Sequence, residues 1–328
     1  MPDSYKVLVT TNRFPEHALA KLTARGVRYF QVPYPADAEA MRALAAREQV
    51  DGILVRHALV PAAVIEASPR LRAVSKMGTG VSEIAVDAAT ARGVPVANTR
   101  GSNAEAVAQL TVGLIYAVVR RIPRSDSVIR KGGWDKVVYP HTKLDGCCLG
   151  IVGFGAIGRR VAELMRPLSM TFVAYSPRVP AGDFPDWVRE VEDIDTLVEA
   201  ADIVSLHNAL TPETRHMFDA RRLARMKPSA FLINTARGAI VDEAALAAAL
   251  RDGRIAGAAL DVFSEEPINR DNPLIEAPNT VLTSHIGALT RESEDAGSTA
   301  AVDNLLALLD GRLEDPRLVV NPETLSAR

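Results

Sequence analysis

Short apolar runs alternate with helical patterns along nearly the whole chain of 328 residues. The first strand–helix pair is residues 6–11 followed by residues 15–25, and the alternation continues to the apolar run at 94–97. Repetition of this kind predicts a mainly parallel sheet flanked by helices. Because domains commonly hold roughly 100–200 residues, the length predicts two such α/β domains.

A second series of strands follows a long and unusually apolar helix predicted at residues 103–121. A helix of this composition is buried, either between domains or against another subunit. The later strands are predicted at residues 149–153, 171–175, 203–206, 230–234, 257–262 and 280–283. The tail, residues 293–309, is predicted to form a helix that packs back on the first domain.

The composition argues against two classes of protein, those that bind nucleic acids and those that bind membranes. Apolar residues make up 48% of the chain and charged residues 24%, and the formal net charge is −2 with no basic block. We therefore expect neither a nucleic acid nor a membrane as a partner. No apolar run approaches the roughly 20 residues of a membrane span, and the cysteines, Cys147 and Cys148, are adjacent. These features predict a cytoplasmic protein in a reducing compartment, and no metal site is predicted.

A glycine-rich turn opens the second series. Residues 149–158 read LGIVGFGAIG, which places G-x-G-x-x-G directly after an apolar strand and at the start of a helix. The first glycine permits the tight turn, the second lets a pyrophosphate approach the backbone, and the third lets helix and strand pack closely. This context favours a dinucleotide site over a purely structural turn. The predicted contacts are Gly153, Gly155 and Gly158.

The end of the next strand bears on which dinucleotide is preferred. An Asp or Glu about 20 residues after the turn would hold the ribose 2′-hydroxyl of NAD. Here Ser176 occupies that place, and Arg178 lies two residues beyond it. A hydroxyl and a guanidinium can hydrogen-bond a 2′-phosphate, which a carboxylate would repel. The sequence therefore favours NADP over NAD; the alternative is that Arg178 points into solvent and NAD is accepted.

Three polar residues stand just past the predicted ends of strands in the second series, where ligands of parallel sheets gather. They are Arg237, Glu266 and His285. Arg237 would hold a substrate carboxylate and polarise the adjacent oxygen. His285 would exchange a proton with that oxygen, and Glu266 would orient the imidazole. Together they predict hydride transfer on a 2-oxo or 2-hydroxy acid.

Several segments then resemble the successive signatures of the D-2-hydroxyacid dehydrogenase family. They are GFGAIG (153–158), NTARGAIVDEAAL (234–246), GAALDVFSEEP (257–267) and SHIGALT (284–290), and residues 77–99 are similar to that family's substrate loop and the helix after it. The resemblance implies two Rossmann-like or flavodoxin-like α/β domains with parallel sheets. The cofactor domain, 100–289, would be inserted into a substrate domain made of 1–99 and 290–328.

The resemblance also implies roles for individual residues and agrees with Arg237, Glu266 and His285 as the catalytic set. It implies further cofactor contacts at Thr79, Thr111, Ala156, Ile157, Asn208, Thr235, Arg237 and Asp261. Asp261 would lie near the nicotinamide carboxamide. Backbone amides around Gly78, Gly80 and Val81 would hold the substrate carboxylate. Family members are commonly dimers built on the long helix, so a homodimer is expected, while Gln109 and His141 receive no role.

Two branches of the family compete as the nearest likeness. Arg56, Lys76 and Asn103 match positions that line the phosphate end of the substrate in D-3-phosphoglycerate dehydrogenases; alternatively, Arg56 and Lys76 form surface ion pairs. Ser176, and a chain that ends at Arg328 without regulatory extensions, instead favour a glyoxylate or hydroxypyruvate reductase. The likeness thus implies hydride transfer between NAD(P)H and a small 2-oxo or 2-hydroxy acid. Corepressors that resemble the same family leave a nicotinamide-sensing binding protein as a second class.

Overall fold

The computed structural model of the chain describes residues 4–134, 136, 141–180 and 182–325. The strands are β1 (Lys6–Val9), β2 (Arg28–Gln31), β3 (Gly52–Val55), β4 (Ala73–Lys76), β5 (Val96–Asn98), β6 (Cys148–Val152), β7 (Thr171–Tyr175), β8 (Val188–Glu190), β9 (Ile203–Leu206), β10 (Phe231–Asn234), β11 (Gly257–Leu260) and β12 (Thr280–Leu282). The α-helices are α1 (Glu16–Ala24), α2 (Ala38–Glu48), α3 (Ala62–Glu66), α4 (Val86–Ala91), α5 (Ala104–Val119), α6 (Ile122–Arg130), α7 (Ala156–Met165), α8 (Ile194–Ala200), α9 (Ala220–Leu223), α10 (Glu243–Arg251) and α11 (Arg291–Leu309).

The chain divides into two compact units, each built on one parallel sheet. Unit 1 consists of Met1–Asn103 and Leu289–Arg328, and unit 2 of Ala104–Ala288. The strand order is β2-β1-β3-β4-β5 in unit 1 and β12-β11-β10-β9-β6-β7-β8 in unit 2. Every strand pair within these sheets is parallel. The predicted α/β class is confirmed; the assignment of the units to substrate and cofactor stays a prediction.

The sheet of unit 2 carries helices on both faces, and its central strands are buried along their whole length. Strands β9 and β10 are buried at every residue, as expected for a sheet covered on two sides. Leu149 and Ile151 pack with residues of α5 and α7 on one face. Val152, which points the opposite way, packs with residues of α8 and α10 on the other.

Unit 1 is completed by the last long helix of the chain. Residues of α1 and α11 cover one face of its sheet, and residues of α2, α3 and α4 cover the other. The contact of α11 with β3 is close, since a Cβ added at Gly52 would lie 3.1 Å from Leu305 Cδ1. The prediction that the tail helix packs back on the first α/β unit is therefore confirmed.

The prediction of one long helix at residues 103–121 was wrong in its extent. Helix α5 ends at Val119, because Arg121 adopts a left-handed backbone with φ of 50°. A second helix, α6, begins at Ile122 with a proline in its first turn, where a missing amide proton costs nothing. The three-residue edge strand β8 was also not predicted.

No described helix is by itself long and apolar enough to cross a membrane. The pair α5 and α6 reaches the required length and composition only when taken together, across a bend of 61°.

Asn321 ties the C-terminal segment to strand β5. Its side-chain oxygen accepts from the Val96 amide at 2.8 Å, and its amide group donates to Thr90 Oγ1 at 2.9 Å and to the Val94 carbonyl at 3.0 Å. The side chain is buried, so its partners have no access to water as a substitute.

We expect Asn321→Ala to lower the free energy of unfolding by about 2–4 kcal/mol, because it leaves buried backbone groups unpaired. Denaturation in urea measures the loss. Glu323→Ala, at an exposed position of the same segment, is the control and should cost less than about 0.5 kcal/mol. Equal stability of the two variants would contradict the assignment.

Candidate active site

The predicted catalytic residues follow three neighbouring strands of unit 2. Strands β10, β11 and β12 lie side by side, with Asn234 opposite Leu260 and Leu260 opposite Leu282. All three strands point the same way, so the loops that follow them leave the sheet at one edge. Arg237, Glu266 and His285 stand on these loops, each within a few residues of its strand end.

Glu266 and His285 are in direct contact. The Nδ1 atom of His285 lies 2.7 Å from Glu266 Oε2, and Glu266 Oε1 accepts from the Phe263 amide at 3.0 Å. The carboxylate is thus fixed by its own loop and in turn orients the imidazole. Because Nδ1 is engaged, Nε2 is the ring nitrogen left to exchange a proton, and no described residue bonds to it. Half of the His285 side chain is exposed.

A buried carboxylate holds the turn that carries His285. Asp261 is 1% exposed, and its Oδ1 accepts from Thr283 Oγ1 at 2.6 Å and from the Ile286 amide at 2.9 Å. Its Oδ2 accepts from the Gly287 amide at 2.9 Å, and its carbonyl accepts from the His285 amide at 2.8 Å. His285 itself has a left-handed backbone, with φ of 55°, a conformation that persists only where its surroundings impose it.

Sequence reasoning assigned Asp261 to the cofactor and did not find this positioning contact. The signal that could have found it is an acid at the end of a buried strand, followed along the chain by a threonine and a glycine close to the histidine. Thr283 was missed for the same reason, since its hydroxyl acts only through Asp261.

Arg237 lies beside the Glu266 loop without a described bond to Glu266 or His285. A Cβ added at Gly238 would lie 1.8 Å from the Phe263 carbonyl carbon, so the two loops touch backbone to backbone. The Arg237 carbonyl accepts from Asn234 Nδ2 at 3.0 Å, which holds the turn. The guanidinium is exposed, and its Nη1 donates to the Ala236 carbonyl at 2.6 Å.

The glycine turn after β6 has the geometry that a pyrophosphate requires. Gly153 has φ of 93°, and a Cβ there would lie 2.7 Å from the Asn208 amide nitrogen. A Cβ at Gly158 would lie 2.2 Å from the Gly153 carbonyl oxygen, whereas one at Gly155 would meet open space. Gly155 also precedes α7 without a side-chain cap, so the first amides of that helix are free for an anion. Ala156 and Ile157 form its first turn.

The end of β9, next to the glycine turn, presents polar atoms without partners. Asn208 Oδ1 and His207 Nδ1 are buried and have no hydrogen bond to the described residues. His207 Nε2 lies 2.8 Å from Ser205 Oγ, and burial lowers the pKa of His207 to about 3, so its ring is neutral. Such orphaned atoms fit a site that takes a polar ligand. His207 was missed, although a histidine directly after an apolar strand was its signal.

The remaining predicted cofactor contacts lie at different depths. Thr111 and Thr235 are buried, with their hydroxyl oxygens 2.9 Å apart. Ser176 is buried at the end of β7, whereas Arg178 is exposed and makes no ion pair with a described residue. Thr79 belongs to unit 1, where its carbonyl accepts from Asn98 Nδ2 at 2.9 Å. These residues therefore do not form one contiguous set within unit 2.

The predicted substrate loop of unit 1 is partly engaged with itself. The Gly78 amide donates to Thr99 Oγ1 at 2.8 Å, and Gly78 has φ of 112°. That amide is therefore taken, while those of Gly80 and Val81 make no hydrogen bond within the described chain. The predicted carboxylate site thus rests on Gly80 and Val81.

The two predicted cationic residues of unit 1, Arg56 and Lys76, are largely buried and do not form exposed surface ion pairs. Arg56 contacts Glu294, but only 17% of its side chain is exposed. Lys76 is 5% exposed and donates to backbone carbonyls. Asn103 is half-buried, without a hydrogen bond to a described residue.

Two residues without a predicted role lie at the surface. Gln109 donates to Glu105 Oε1 at 2.7 Å, one turn earlier on α5, and His141 is exposed. Among the described residues, no group of three His, Cys, Asp or Glu side chains is placed to hold a metal ion.

We expect Gly155→Ala and Gly158→Ala to separate binding from packing. Gly155→Ala should leave stability within about 1 kcal/mol but weaken NADH and NADPH binding about tenfold, because the methyl group stands where the pyrophosphate approaches. Gly158→Ala should instead cost at least about 2 kcal/mol, since its methyl overlaps the Gly153 carbonyl. Thermal unfolding and fluorescence titration measure the two effects. Unchanged cofactor affinity in Gly155→Ala would remove the turn from the cofactor site.

Comparison with known proteins identifies a family profile and several relatives that match this chain. The family profile described as "D-isomer specific 2-hydroxyacid dehydrogenase, NAD binding domain" matches residues 112–287. A glyoxylate reductase of Thermofilum pendens is 42% identical over 275 residues, which cover 82% of this chain and 80% of the relative. A D-3-phosphoglycerate dehydrogenase of Methanocaldococcus jannaschii is 38% identical over 253 residues, or 77% of this chain and 48% of the relative. The chain therefore spans about half the length of that dehydrogenase.

A solved structure is similar over most of the chain. The NADPH-dependent glyoxylate/hydroxypyruvate reductase of Sinorhizobium meliloti, in complex with NADP and malonate, superposes with a TM-score of 0.80 at 30% identity. The match covers 93% of each chain.

Proposed function

We propose that this chain, which belongs to the D-isomer specific 2-hydroxyacid dehydrogenase family, reduces a small 2-oxo acid with a nicotinamide cofactor. Membership follows from the family profile over residues 112–287 and from the relative that is 42% identical. The chain is accordingly an oxidoreductase that acts on a CH–OH group, and the resemblance predicted from its motifs is confirmed. Substrate, cofactor preference and residue roles are the parts that we propose.

The observation that carries the proposal is the contact between Glu266 and His285. With Nδ1 held by the carboxylate at 2.7 Å, the protonated imidazole presents Nε2–H as a donor. We propose that this group donates its proton to the oxygen of the 2-oxo acid during reduction and recovers it from the hydroxyl in the reverse direction. A positioned imidazole suits this task because one ring nitrogen can transfer a proton while the other holds the ring in place by a hydrogen bond.

A bound nicotinamide cofactor supplies the hydride that reduces the carbonyl carbon. The turn from Gly153 to Gly158 and the side chain of Asn208 would hold it. Support comes from the open space at Gly155 and from the buried Asn208 oxygen, which has no hydrogen bond to a described residue. Arg237 would grip the substrate carboxylate, since a guanidinium is suited to bidentate carboxylate contacts. Its exposed position at the same sheet edge as Glu266 supports this role.

We expect His285→Ala to lower kcat by at least about 100-fold, the usual span for a general acid–base residue. Glu266→Gln keeps a hydrogen-bonding group but removes the charge, so it should lower kcat less, by about tenfold. Steady-state oxidation of NADPH and NADH with a panel of 2-oxo acids measures both. His141→Ala, at an exposed position, controls for loss of a histidine. Turnover retained in His285→Ala would exclude the assigned role, and no turnover by the native chain would exclude the reductase and favour the binding-protein class.

For the cofactor we propose a preference for NADPH over NADH. It is supported by Ser176 and Arg178 at the end of β7, where a carboxylate would reject the 2′-phosphate, and by the NADP complex of the similar reductase. The exposed guanidinium of Arg178 is free of ion pairs among the described residues, so it is available to a phosphate.

We expect Arg178→Ala to raise the KM for NADPH about tenfold and to leave the KM for NADH unchanged, because only the former carries the phosphate. Initial rates with each cofactor give the ratio. Arg251→Ala removes another exposed arginine, at the C-terminal end of α10, and is the matched control. A ratio that does not move would show that the ribose pocket is selected by other residues.

For the substrate we propose glyoxylate or hydroxypyruvate. The glyoxylate reductase relative supports this choice because it is matched over four fifths of its length. The alternative is a phosphoglycerate-type dehydrogenase, favoured by the 38% identity to that enzyme and by Arg56 and Lys76. Comparison of hydroxypyruvate with its phosphorylated analogue separates the two.

We also propose a homodimer in the cytoplasm. Support for the dimer comes from α6, which buries none of its residues and exposes Ile122 and Ile129. Exposed apolar side chains on one helix are typical of an interaction surface.

A further inference from the structure

Arg56 lies at the point of the unit 1 sheet where ligands of open parallel sheets bind. The strand order β2-β1-β3-β4-β5 reverses direction between β1 and β3, and such sheets take ligands at that point, outside the carboxyl ends of the strands. Arg56 directly follows β3, and its amide donates to Thr10 Oγ1 at 3.2 Å. Its guanidinium also donates to the Arg13 carbonyl. Thr10 and Arg13 follow β1, so Arg56 bridges the two strand ends.

A second cation lies next to it. Lys76 is the last residue of β4, and its Nζ donates to the Arg56 carbonyl at 2.5 Å and to the Met77 carbonyl at 3.2 Å. Burial lowers the pKa of Lys76, the charge of Arg56 acts in the same direction, and Glu83 opposes both. Cations this close to a ligand-binding point would ordinarily attract an anion.

The guanidinium of Arg56 is already paired with a carboxylate of the same unit. Glu294, in the first turn of α11, contacts Arg56 Nη2. Glu83 has one buried carboxylate oxygen without a hydrogen bond to a described residue, and its charge acts to raise the pKa of Lys76. The Arg56 guanidinium therefore already has an anionic partner, with which a second anionic group of a substrate would have to compete.

We infer that Glu294 is a specificity-determining residue, which occupies the guanidinium of Arg56 and so favours a 2-oxo acid with a single anionic group over one that carries a phosphate. This inference rests on the proposed function and names its substrate class. A phosphate at this point would have to displace Glu294 from Arg56 or lie beside its carboxylate. Either arrangement introduces like-charge repulsion, which is an effective means of rejecting a competing substrate.

A purely structural role for Glu294 predicts a different result. An acid in the first turn of a helix stabilises it through the helix dipole, and Glu292 occupies the same turn. Glu292 is exposed and makes no hydrogen bond or ion pair with a described residue. If both acids only stabilise α11, their amide variants should behave alike.

The experiment compares Glu294→Gln with Glu292→Gln. In Glu294→Gln we expect kcat/KM for phosphohydroxypyruvate, relative to hydroxypyruvate, to rise about tenfold or more, because Arg56 becomes available to the phosphate. Glu292→Gln should leave the ratio unchanged. The double variant Arg56→Met/Glu294→Gln should lose the gain. An unchanged ratio in Glu294→Gln, or an equal rise in both single variants, would overturn the inference.

A binding measurement keeps this test separate from the proposed reaction. Calorimetry with 3-phosphoglycerate and with glycerate needs no turnover, and Glu294→Gln should bind the phosphorylated acid about tenfold more tightly than the native chain does. Absence of turnover in every variant, together with this gain in affinity, would reject the reductase and retain the role of Glu294. Turnover of hydroxypyruvate without any gain would reject the role of Glu294 alone. Circular dichroism verifies that each variant is folded.

Discussion

The carboxylate of Asp261 is the contact on which the arrangement of the site depends. A charge taken out of water must be compensated by hydrogen bonds, and this one receives a hydroxyl and two backbone amides from the segment after β12. Those bonds join the ends of β11 and β12 and hold His285 in a left-handed conformation that costs on the order of 1 kcal/mol or more. The imidazole can therefore meet Glu266 without a flexible loop having to be ordered at each turnover. A catalytic group that is already oriented when the substrate arrives lowers the entropic part of the barrier, and a rigid scaffold supplies that orientation.

Both units place polar groups at the reversal of strand order, but they do so with different chemistry. In unit 2 the reversal lies between β6 and β9, where glycines expose backbone and Asn208 keeps an unpaired oxygen. In unit 1 it lies between β1 and β3, where Arg56 meets Glu294. The site in unit 2 is suited to an anion that accepts hydrogen bonds from backbone amides, because the first amides of α7 have no side-chain cap. In unit 1 the guanidinium of Arg56 is already paired with Glu294, so an anionic ligand there would meet the charge of that carboxylate.

Much of the fold and part of the site could be predicted from the sequence, for physical reasons. Strands buried on both faces, such as β9 and β10, are largely apolar runs, and a glycine turn before a helix is visible as a motif. Residues that follow strand ends are short-range features, which is why Arg237, Glu266 and His285 could be named. Helix α6 could not, since the break before it depends on the left-handed backbone of Arg121 and none of its residues is buried. The pairing of Arg56 with Glu294 joins positions 238 residues apart, and only the packing of α11 on the unit 1 sheet brings them together.

The discontinuity of unit 1 has a consequence for biosynthesis. Helix α11 covers a face of the sheet to which β1 and β3 belong, yet it is encoded after the whole of unit 2. During translation all five strands of the sheet emerge before α11, so Leu54 of β3 is not yet covered by that helix, whereas unit 2 is contiguous and complete once Ala288 has left the ribosome. Domains generally fold as units, so the segment made first is the one that finishes last. Until α11 has been synthesised, the part of this face that α11 covers leaves apolar side chains exposed on the nascent chain.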